Sequence, residues 1–239
     1  MSVPQLPLAL RYPPDQRFET YIGAPEGALA QLRALAVGSN HDWVFLAGAG
    51  GTGKTHLSLA TCAAALEAGR RPAYLPLQAA GARLGEALEA LEGHDVVALD
   101  GLEYVAGRRE QEVTLFEFHN RARAADVTLL YTARCTPDAL GLVLPDLRSR
   151  LSQCGRIMLD PLDDEGREAV LRERAVRRGL VMDEATMAWL LTRSGRDLSG
   201  LVDLLERLDR ESLAAKRRIT VPFLKRVLEA GPDGKPADR

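Results

Sequence analysis

Residues 48–55 of this chain, Gly48-Ala49-Gly50-Gly51-Thr52-Gly53-Lys54-Thr55, match the phosphate-loop pattern G-x-x-x-x-G-K-[ST] at every required position. Glycines let such a loop curl so that its backbone N–H groups point at a polyphosphate, and the following helix adds the partial positive charge of its N-terminus. The alternative is an ordinary glycine-rich turn. Apolar residues 42–47 predict a buried strand before the loop and residues 56–68 a helix after it, which is the setting that a phosphate loop requires.

The motif assigns a task to each of its polar residues. Backbone N–H groups hold the phosphates, Lys54 reaches the β- and γ-phosphates, and the Thr55 hydroxyl ligates Mg²⁺. Asp100 follows the apolar run 96–99 and would hold the metal from the end of a neighbouring strand; a strand-ending Asp without metal duty is the alternative. The predicted cofactors are ADP or ATP with Mg²⁺, and the predicted nucleotide-binding residues so far are Gly50, Gly51, Thr52, Gly53, Lys54, Thr55, His56 and Asp100.

The position after Asp100 predicts slow turnover. Efficient hydrolysis needs a group that orients the attacking water, and an acid often stands directly after the metal-binding Asp. Here that residue is Gly101, which cannot polarise water, and the next acid is Glu103. We expect tight nucleotide binding with little turnover, unless Glu103 takes over the role.

Composition narrows the class of protein. A chain of 239 residues can form one α/β domain with a smaller appendage, and a net charge of −2 argues against a general polyanion binder. Three cysteines without C-x-x-C spacing argue against disulfides and zinc, and four histidines show no metal-ligand spacing. Without a signal peptide or an apolar run of about 18 residues, the sequence predicts a cytoplasmic protein.

The order of elements predicts an α/β fold with a helical second domain. Apolar runs at 42–47, 73–77, 95–99, 127–132 and 156–159 predict strands, and helical stretches such as 26–37 and 112–125 separate them. That alternation predicts a parallel sheet with helices on both faces. After Pro161 the pattern predicts only helices, at 163–178, 183–194, 198–217 and 221–230, with Asp163 and Asp183 as N-caps.

The N-terminal segment differs from the rest of the chain. Gln5-Leu6-Pro7-Leu8-Ala9-Leu10 is apolar at alternate positions, and its prolines exclude a helix. It is either an arm packed on its own domain or a short linear motif that inserts leucines into the groove of a partner. The expected divisions are an extended tail (1–15), a nucleotide-binding α/β domain (16–162), a helical lid (163–230) and a disordered tail (231–239).

The layout resembles the AAA+ ATPases and, within them, the family of the bacterial replication initiator DnaA. Four segments carry the likeness, and they occur in the family's order. The metal-strand motif is similar to Asp100-Gly101-Leu102-Glu103-Tyr104-Val105-Ala106-Gly107, and the arginine-finger segment to Pro145-Asp146-Leu147-Arg148-Ser149-Arg150-Leu151. In the lid, the second-sensor motif is similar to Arg196-Asp197-Leu198-Ser199-Gly200-Leu201, and the end of the lid to Ile219-Thr220-Val221-Pro222-Phe223-Leu224-Lys225. The likeness runs from about residue 6 to residue 230, which is nearly the whole chain.

The resemblance implies further site residues. Tyr21 and Ile22 line the adenine pocket, and Arg196 reaches the phosphates from the lid. Arg150 is an arginine finger that acts in trans on a neighbouring subunit, with Arg148 as a weaker second candidate. The first sensor is Thr132, since the initiator's Asp at that point aligns with Arg134.

Departures from the initiator indicate a branch of the family. The sequence ends after the lid, where the initiator continues into a helix-turn-helix domain, and residues 78–94 leave room for only one helix where the initiator has an insertion. The N-terminal segment is similar to sliding-clamp-binding motifs, with Gln5, Leu6, Leu8 and Leu10 as the docking residues. The chain therefore resembles the clamp-dependent regulators that make DnaA hydrolyse its ATP. The partners implied are the DnaA initiator, the sliding clamp (the polymerase beta subunit) and further copies of this chain, without sequence-specific DNA binding or a membrane.

Two other functions share the phosphate loop. An autonomous AAA+ ATPase that acts as a helicase loader would hydrolyse ATP in the presence of single-stranded DNA. A small-molecule kinase is disfavoured because the helical lid follows the sheet instead of interrupting it.

Overall fold

The computed structural model describes residues 15–39, 42–180, 182–193 and 220–229, together with 200, 204, 205, 207 and 208. The predicted docking motif, Arg196 and most of the predicted lid helix 198–217 lie outside the described residues. The chain divides into two compact units, Met1–Ala49 with Gly53–Asp160, and Gly50–Thr52 with Pro161–Arg239.

The first unit is built on a five-stranded sheet in which every neighbouring pair is parallel. The strand order is β2-β3-β4-β1-β5, with Leu46 of β1 opposite Thr132 of β4 and Ile157 of β5. This sheet confirms the predicted α/β class. The strands are β1 Val44–Gly48, β2 Pro72–Pro76, β3 Val96–Asp100, β4 Thr128–Ala133 and β5 Gly155–Leu159.

Helices cover both faces of this sheet. They are α1 Ala28–Val37, α2 Lys54–Glu67, α3 Leu77–Ala80, α4 Leu84–Glu89, α5 Arg109–Ala124 and α6 Pro145–Ser152, with 3₁₀ turns at Phe18–Thr20, Gly81–Arg83 and Leu102–Tyr104. The expectation of one helix within residues 78–94 is wrong, because Gly81 adopts φ +51° and ψ −129° and divides the segment in two. A residue with a Cβ rarely adopts that backbone conformation.

Alternation along the strands divides the core into two layers. Phe45 packs with the residues of α4, α5 and α6, whereas its neighbour Leu46 packs with those of α1 and α2. Successive side chains of a strand point to opposite faces, and a central parallel strand is buried on both. All five residues of β1 are accordingly buried, so that the loop after Gly48 begins from a fixed point.

Arg70, between α2 and β2, joins elements that are distant in sequence. Its guanidinium donates to the carbonyl oxygens of Leu35 and Ala36 at the end of α1, to the Asp95 carbonyl oxygen and to Thr128 Oγ1, all at 3.0 Å. Four directed bonds from one half-buried group tie α1 to the starts of β3 and β4.

The second unit contains α7 Asp164–Arg177, α8 Glu184–Arg193 and α9 Val221–Glu229. The two expected N-caps are present, since Asp163 Oδ1 accepts from Gly166 N and Asp183 Oδ1 accepts from Thr186 N, each at 2.8 Å. An apolar cluster joins these helices and includes Leu171, Leu190, Leu205, Phe223 and Leu224. Across the part of the chain that the structure describes, no helix has the length and apolarity needed to cross a membrane.

We predict that Arg70→Ala lowers the free energy of unfolding by about 2–4 kcal/mol, because it removes four hydrogen bonds, although the Leu35 and Asp95 carbonyl oxygens keep their backbone donors Gly38 N and Thr128 N. Urea denaturation followed by circular dichroism measures the change. Arg71→Ala is the matched control: Arg71 pairs with Asp95 on the surface, its side chain is 69% exposed, and its loss changes stability little. Equal effects of the two substitutions would contradict this role for Arg70.

Candidate nucleotide-binding site

The loop of residues 48–55 joins the end of β1 to the start of α2. Gly51 and Gly53 adopt φ +78° and +84°, in the left-handed region that favours glycine. Gly53 is restricted by a neighbour as well, because a Cβ there would lie 2.5 Å from Tyr21 Cε2. The ring of Tyr21 therefore lies against the loop where α2 begins.

Lys54 is held at the start of the loop. Its Nζ donates to the carbonyl oxygens of Gly48 at 2.6 Å and Ala49 at 2.8 Å, and the residue is 9% exposed. Burial lowers the pKa of the ammonium, and the charges of Glu103 and Asp100 act in the opposite direction. The cation that a phosphate would meet is thus already placed within the loop.

Asp100, at the end of β3, is the centre of a hydrogen-bond network. Its Oδ2 accepts from Thr55 Oγ1 at 2.7 Å and from Tyr74 Oη at 2.8 Å, and its Oδ1 accepts from Thr132 Oγ1 at 2.5 Å. The two predicted metal ligands, Thr55 and Asp100, are therefore adjacent. A hydroxyl and a carboxylate fit Mg²⁺, which prefers oxygen ligands and keeps several waters.

Tyr74 of β2 is a member of this network that sequence reasoning missed. Burial, followed by the Asp100 carboxylate, raises the pKa of the phenol well above its usual value, so that it stays a hydrogen-bond donor. A tyrosine in an apolar strand carries no signal of such a contact, which depends on β2 lying beside β3.

Thr132, the predicted first sensor, has a fully buried side chain whose hydroxyl has two partners. It donates to Asp100 Oδ1 and accepts from Gly101 N at 3.0 Å. Nearby, Arg134 Nε donates to Glu103 Oε1 at 3.1 Å, and Arg134 N lies 3.3 Å from Glu103 Oε2. The acid that follows Gly101 most closely, Glu103, is therefore held by the backbone and side chain of an arginine.

Gly101 cannot be exchanged for an acid without strain. Its φ is +91°, and a Cβ at this position would lie 2.9 Å from Tyr104 Cδ2. The 3₁₀ turn Leu102–Tyr104 folds the ring back under the glycine. Local backbone geometry thus explains why this position lacks a side chain.

His56, included in the predicted nucleotide-binding set, faces the segment before α1. Its Nε2 lies 2.8 Å from the Arg17 carbonyl oxygen and 3.2 Å from Thr20 Oγ1, and its ring meets that of Tyr21 edge-on at 5.4 Å. These contacts fasten residues 17–21 to α2. The adenine-lining roles of Tyr21 and half-buried Ile22 stay predictions, and Arg196 lies outside the described residues.

Arg150 lies on α6 and takes no part in the hydrogen-bond network around Asp100. Leu147 and Leu151 are buried on one side of this helix. Arg148 and Arg150 are exposed on either side of these leucines, about 200° apart around the helix axis. Neither guanidinium forms a hydrogen bond or ion pair with a residue in the described part of the chain. Both are free to meet a group outside it.

Glu112 is a second residue that sequence reasoning missed. It is fully buried in the first turn of α5, and its carboxylate accepts from Gly107 N at 2.7 Å, Val143 N at 2.9 Å and Leu144 N at 2.7 Å. A glutamate is almost never fully buried unless it is paired. No local sequence pattern indicates that residues 143–144 pack against Glu112.

Comparisons with known proteins agree with this arrangement. Residues 2–134 match the family model of the IstB-like ATP binding proteins, and residues 164–228 match the model of the Hda lid domain. An uncharacterized protein of Haemophilus influenzae is 36% identical over 228 residues, which cover 94% of this chain and 98% of that protein.

Solved structures share the fold at lower identity. Domain III of the Thermotoga maritima replication initiation protein DnaA superimposes with a TM-score of 0.75 at 17% identity, over 90% of this chain and 96% of that one. AMPPCP-bound DnaA of Aquifex aeolicus gives 0.64 at 21% identity, over 85% and 68%. RuvB of Thermotoga maritima gives 0.58 at 20%, over 92% and 74%.

We predict that Gly101→Ala lowers the free energy of unfolding by about 2–3 kcal/mol, because it adds a steric collision to the cost of a positive φ. Gly93→Ala isolates the backbone part, since Gly93 has φ +84° and an added methyl group there would meet open space; we expect about 1 kcal/mol there. Urea denaturation of both variants measures the difference. A Gly101 variant as stable as the Gly93 variant would show that Tyr104 moves aside freely.

Proposed function

The chain belongs to the IstB-like ATP binding proteins and carries a lid that matches the Hda lid domain. From this premise we propose that it is a nucleotide-binding regulator of replication initiation related to DnaA. It docks on the DNA polymerase sliding clamp through Gln5, Leu6, Leu8 and Leu10 and supplies Arg150 in trans to the ATP site of the DnaA initiator. Its own ADP or ATP, bound with Mg²⁺, stabilises the folded nucleotide-binding unit.

The observation that carries this proposal is the contrast between Arg150 and the site around Asp100. Arg150 is exposed on a short helix, and its guanidinium has no partner among the residues that the structure describes, so its charge is available to another molecule. At the chain's own site, Gly101 stands where an acid would orient water, and Arg134 holds Glu103. The residues favour nucleotide retention here and a catalytic contribution elsewhere.

The chemistry of Arg150 follows from its guanidinium. A planar group with several fixed N–H donors can stabilise the charge that develops on a transferring γ-phosphoryl, and such a finger contributes on the order of 10³–10⁵ in rate where it completes a slow site. Lys54 and the loop amides would meet the phosphates of the chain's own nucleotide, and Thr55 and Asp100 would hold its Mg²⁺. That metal would neutralise phosphate charge at the site when bound.

We predict that Arg150→Ala abolishes stimulation of ATP hydrolysis by DnaA, because alanine offers no charge to the transferring phosphoryl. The measurement is phosphate release by ATP-loaded DnaA with clamp loaded on DNA. Arg148→Ala is the comparison, since it removes the second candidate, an exposed arginine on the other side of the same helix, and we expect it to keep most of the stimulation. Undiminished stimulation with Arg150→Ala would eliminate the finger assignment.

We predict that alanine at Gln5, Leu6 and Leu8 together abolishes capture of this protein by immobilised clamp, because the apolar side chains that enter the groove are lost. Arg11→Ala with Tyr12→Ala, next to the motif, serves as the control and should leave capture unchanged. Nucleotide binding by the triple variant verifies that it is folded. Equal capture of triple variant and parent would remove the clamp from the proposal.

The IstB-like match keeps a second function open, that of an autonomous ATPase acting as a helicase loader. The two functions differ in what the purified protein does alone. The regulator hydrolyses ATP slowly with or without single-stranded DNA, whereas robust turnover of the isolated protein in the presence of single strands would favour the loader.

A further inference from the structure

Glu112 is a buried carboxylate that takes no part in the network around Asp100. Removing a charged group from water is costly unless nearby donors compensate it. Here three backbone N–H groups converge on the two carboxylate oxygens, from Gly107, Val143 and Leu144 at 2.7 to 2.9 Å for their shortest contacts. Bonds of this kind to an ionised acceptor are short and roughly twice as strong as those between neutral groups.

The three donors come from two segments with different tasks. Gly107 follows the 3₁₀ turn after Asp100 and Gly101, whereas Val143 and Leu144 directly precede α6. Glu112 Oε1 accepts from both Gly107 N and, at 3.1 Å, Val143 N. One oxygen atom therefore joins the segment that leaves the proposed metal strand to the segment that leads into the arginine-bearing helix.

Among the residues that the structure describes, no side chain at the start of α6 caps the helix with a hydrogen bond, although Leu142 and Leu144 pack against the core there. Leu144 occupies the N-cap position without a capping side-chain bond, and Pro145 follows at the first turn. Glu112 places a negative charge at this helix N-terminus, where the partial positive charge of the helix favours it. Leu147 and Leu151 are buried and hold α6 against the core. Apolar contacts are non-directional, however, and allow small shifts of α6 along its own axis.

We infer that Glu112 is the positioning residue of Arg150: by fixing residues 143–144, it sets where α6 begins and hence where the guanidinium stands. Arg150 lies six residues beyond Leu144, about 9 Å along the axis, so a displaced helix start moves it directly. Misplacement of about 1 Å in a catalytic group can cost about 10²-fold in rate. This inference rests on the proposed function of Arg150.

The test is Glu112→Gln, which keeps the size of the side chain but puts an amide NH₂ against backbone donors. We expect unchanged binding of ADP and unchanged half-saturation for DnaA, with a maximal stimulated rate of ATP hydrolysis lowered about tenfold or more. Glu117→Gln, an exposed acid on the same helix, is the matched control and keeps the parent rate. Should Glu112→Gln not fold, Glu112→Asp, which keeps the charge and shortens the reach, takes its place in every comparison.

A double-mutant cycle with Arg150→Lys separates an effect on the position of Arg150 from a general loss of structure. Lysine keeps the charge without the planar fork, so its residual stimulation depends less on placement. In the Arg150→Lys protein we expect Glu112→Gln to lower the stimulated rate of ATP hydrolysis by no more than about threefold. An equal loss in the Arg150→Lys protein and in the parent protein would overturn the inference, and so would no loss in the parent protein. If Arg150→Ala itself leaves stimulation intact, the proposed function fails first and separately.

Discussion

The Asp100 carboxylate holds together the part of the molecule that the nucleotide site depends on. Three hydroxyl groups donate to it, from α2, β2 and β4, while Asp100 itself ends β3. Three adjacent parallel strands and the helix after the phosphate loop therefore share a single acceptor. In a parallel sheet, the carboxyl ends of neighbouring strands meet at one edge, and an acid there can bridge elements that are far apart in sequence.

This arrangement also explains why a phosphate loop need not indicate an efficient hydrolase. Thr132 is hydrogen-bonded to Asp100 and Gly101, and Glu103 is hydrogen-bonded to Arg134. Gly101, the residue after Asp100, has a positive φ that favours glycine. Each group near the proposed metal site thus has a structural partner. The exposed guanidinium groups of α6 form no hydrogen bond or ion pair with the described residues, in contrast to these groups around Asp100.

Sequence patterns predicted what is local and missed what depends on folding at a distance. The loop motif, the five apolar strands and the caps Asp163 and Asp183 are readable because the signal lies within a few neighbouring residues. The ordered motifs likewise predicted an ATP-binding domain followed by a helical lid, and both family models agree with that prediction. Tyr74 donates to Asp100, 26 residues away, and two of the three donors to Glu112 lie 31 and 32 residues away, so the local sequence does not indicate these contacts. The helix expected between β2 and β3 is broken by a glycine conformation that hydrophobic periodicity does not report.

Gly53 shows how one position can be constrained twice. Its place in the phosphate loop would by itself account for a glycine, since the backbone must approach a ligand closely. A ring atom of Tyr21 also lies 2.5 Å from where a Cβ would be, so the glycine makes room for this aromatic side chain. Within the loop motif, the presence of Gly53 is therefore weaker evidence of nucleotide binding than the presence of Lys54.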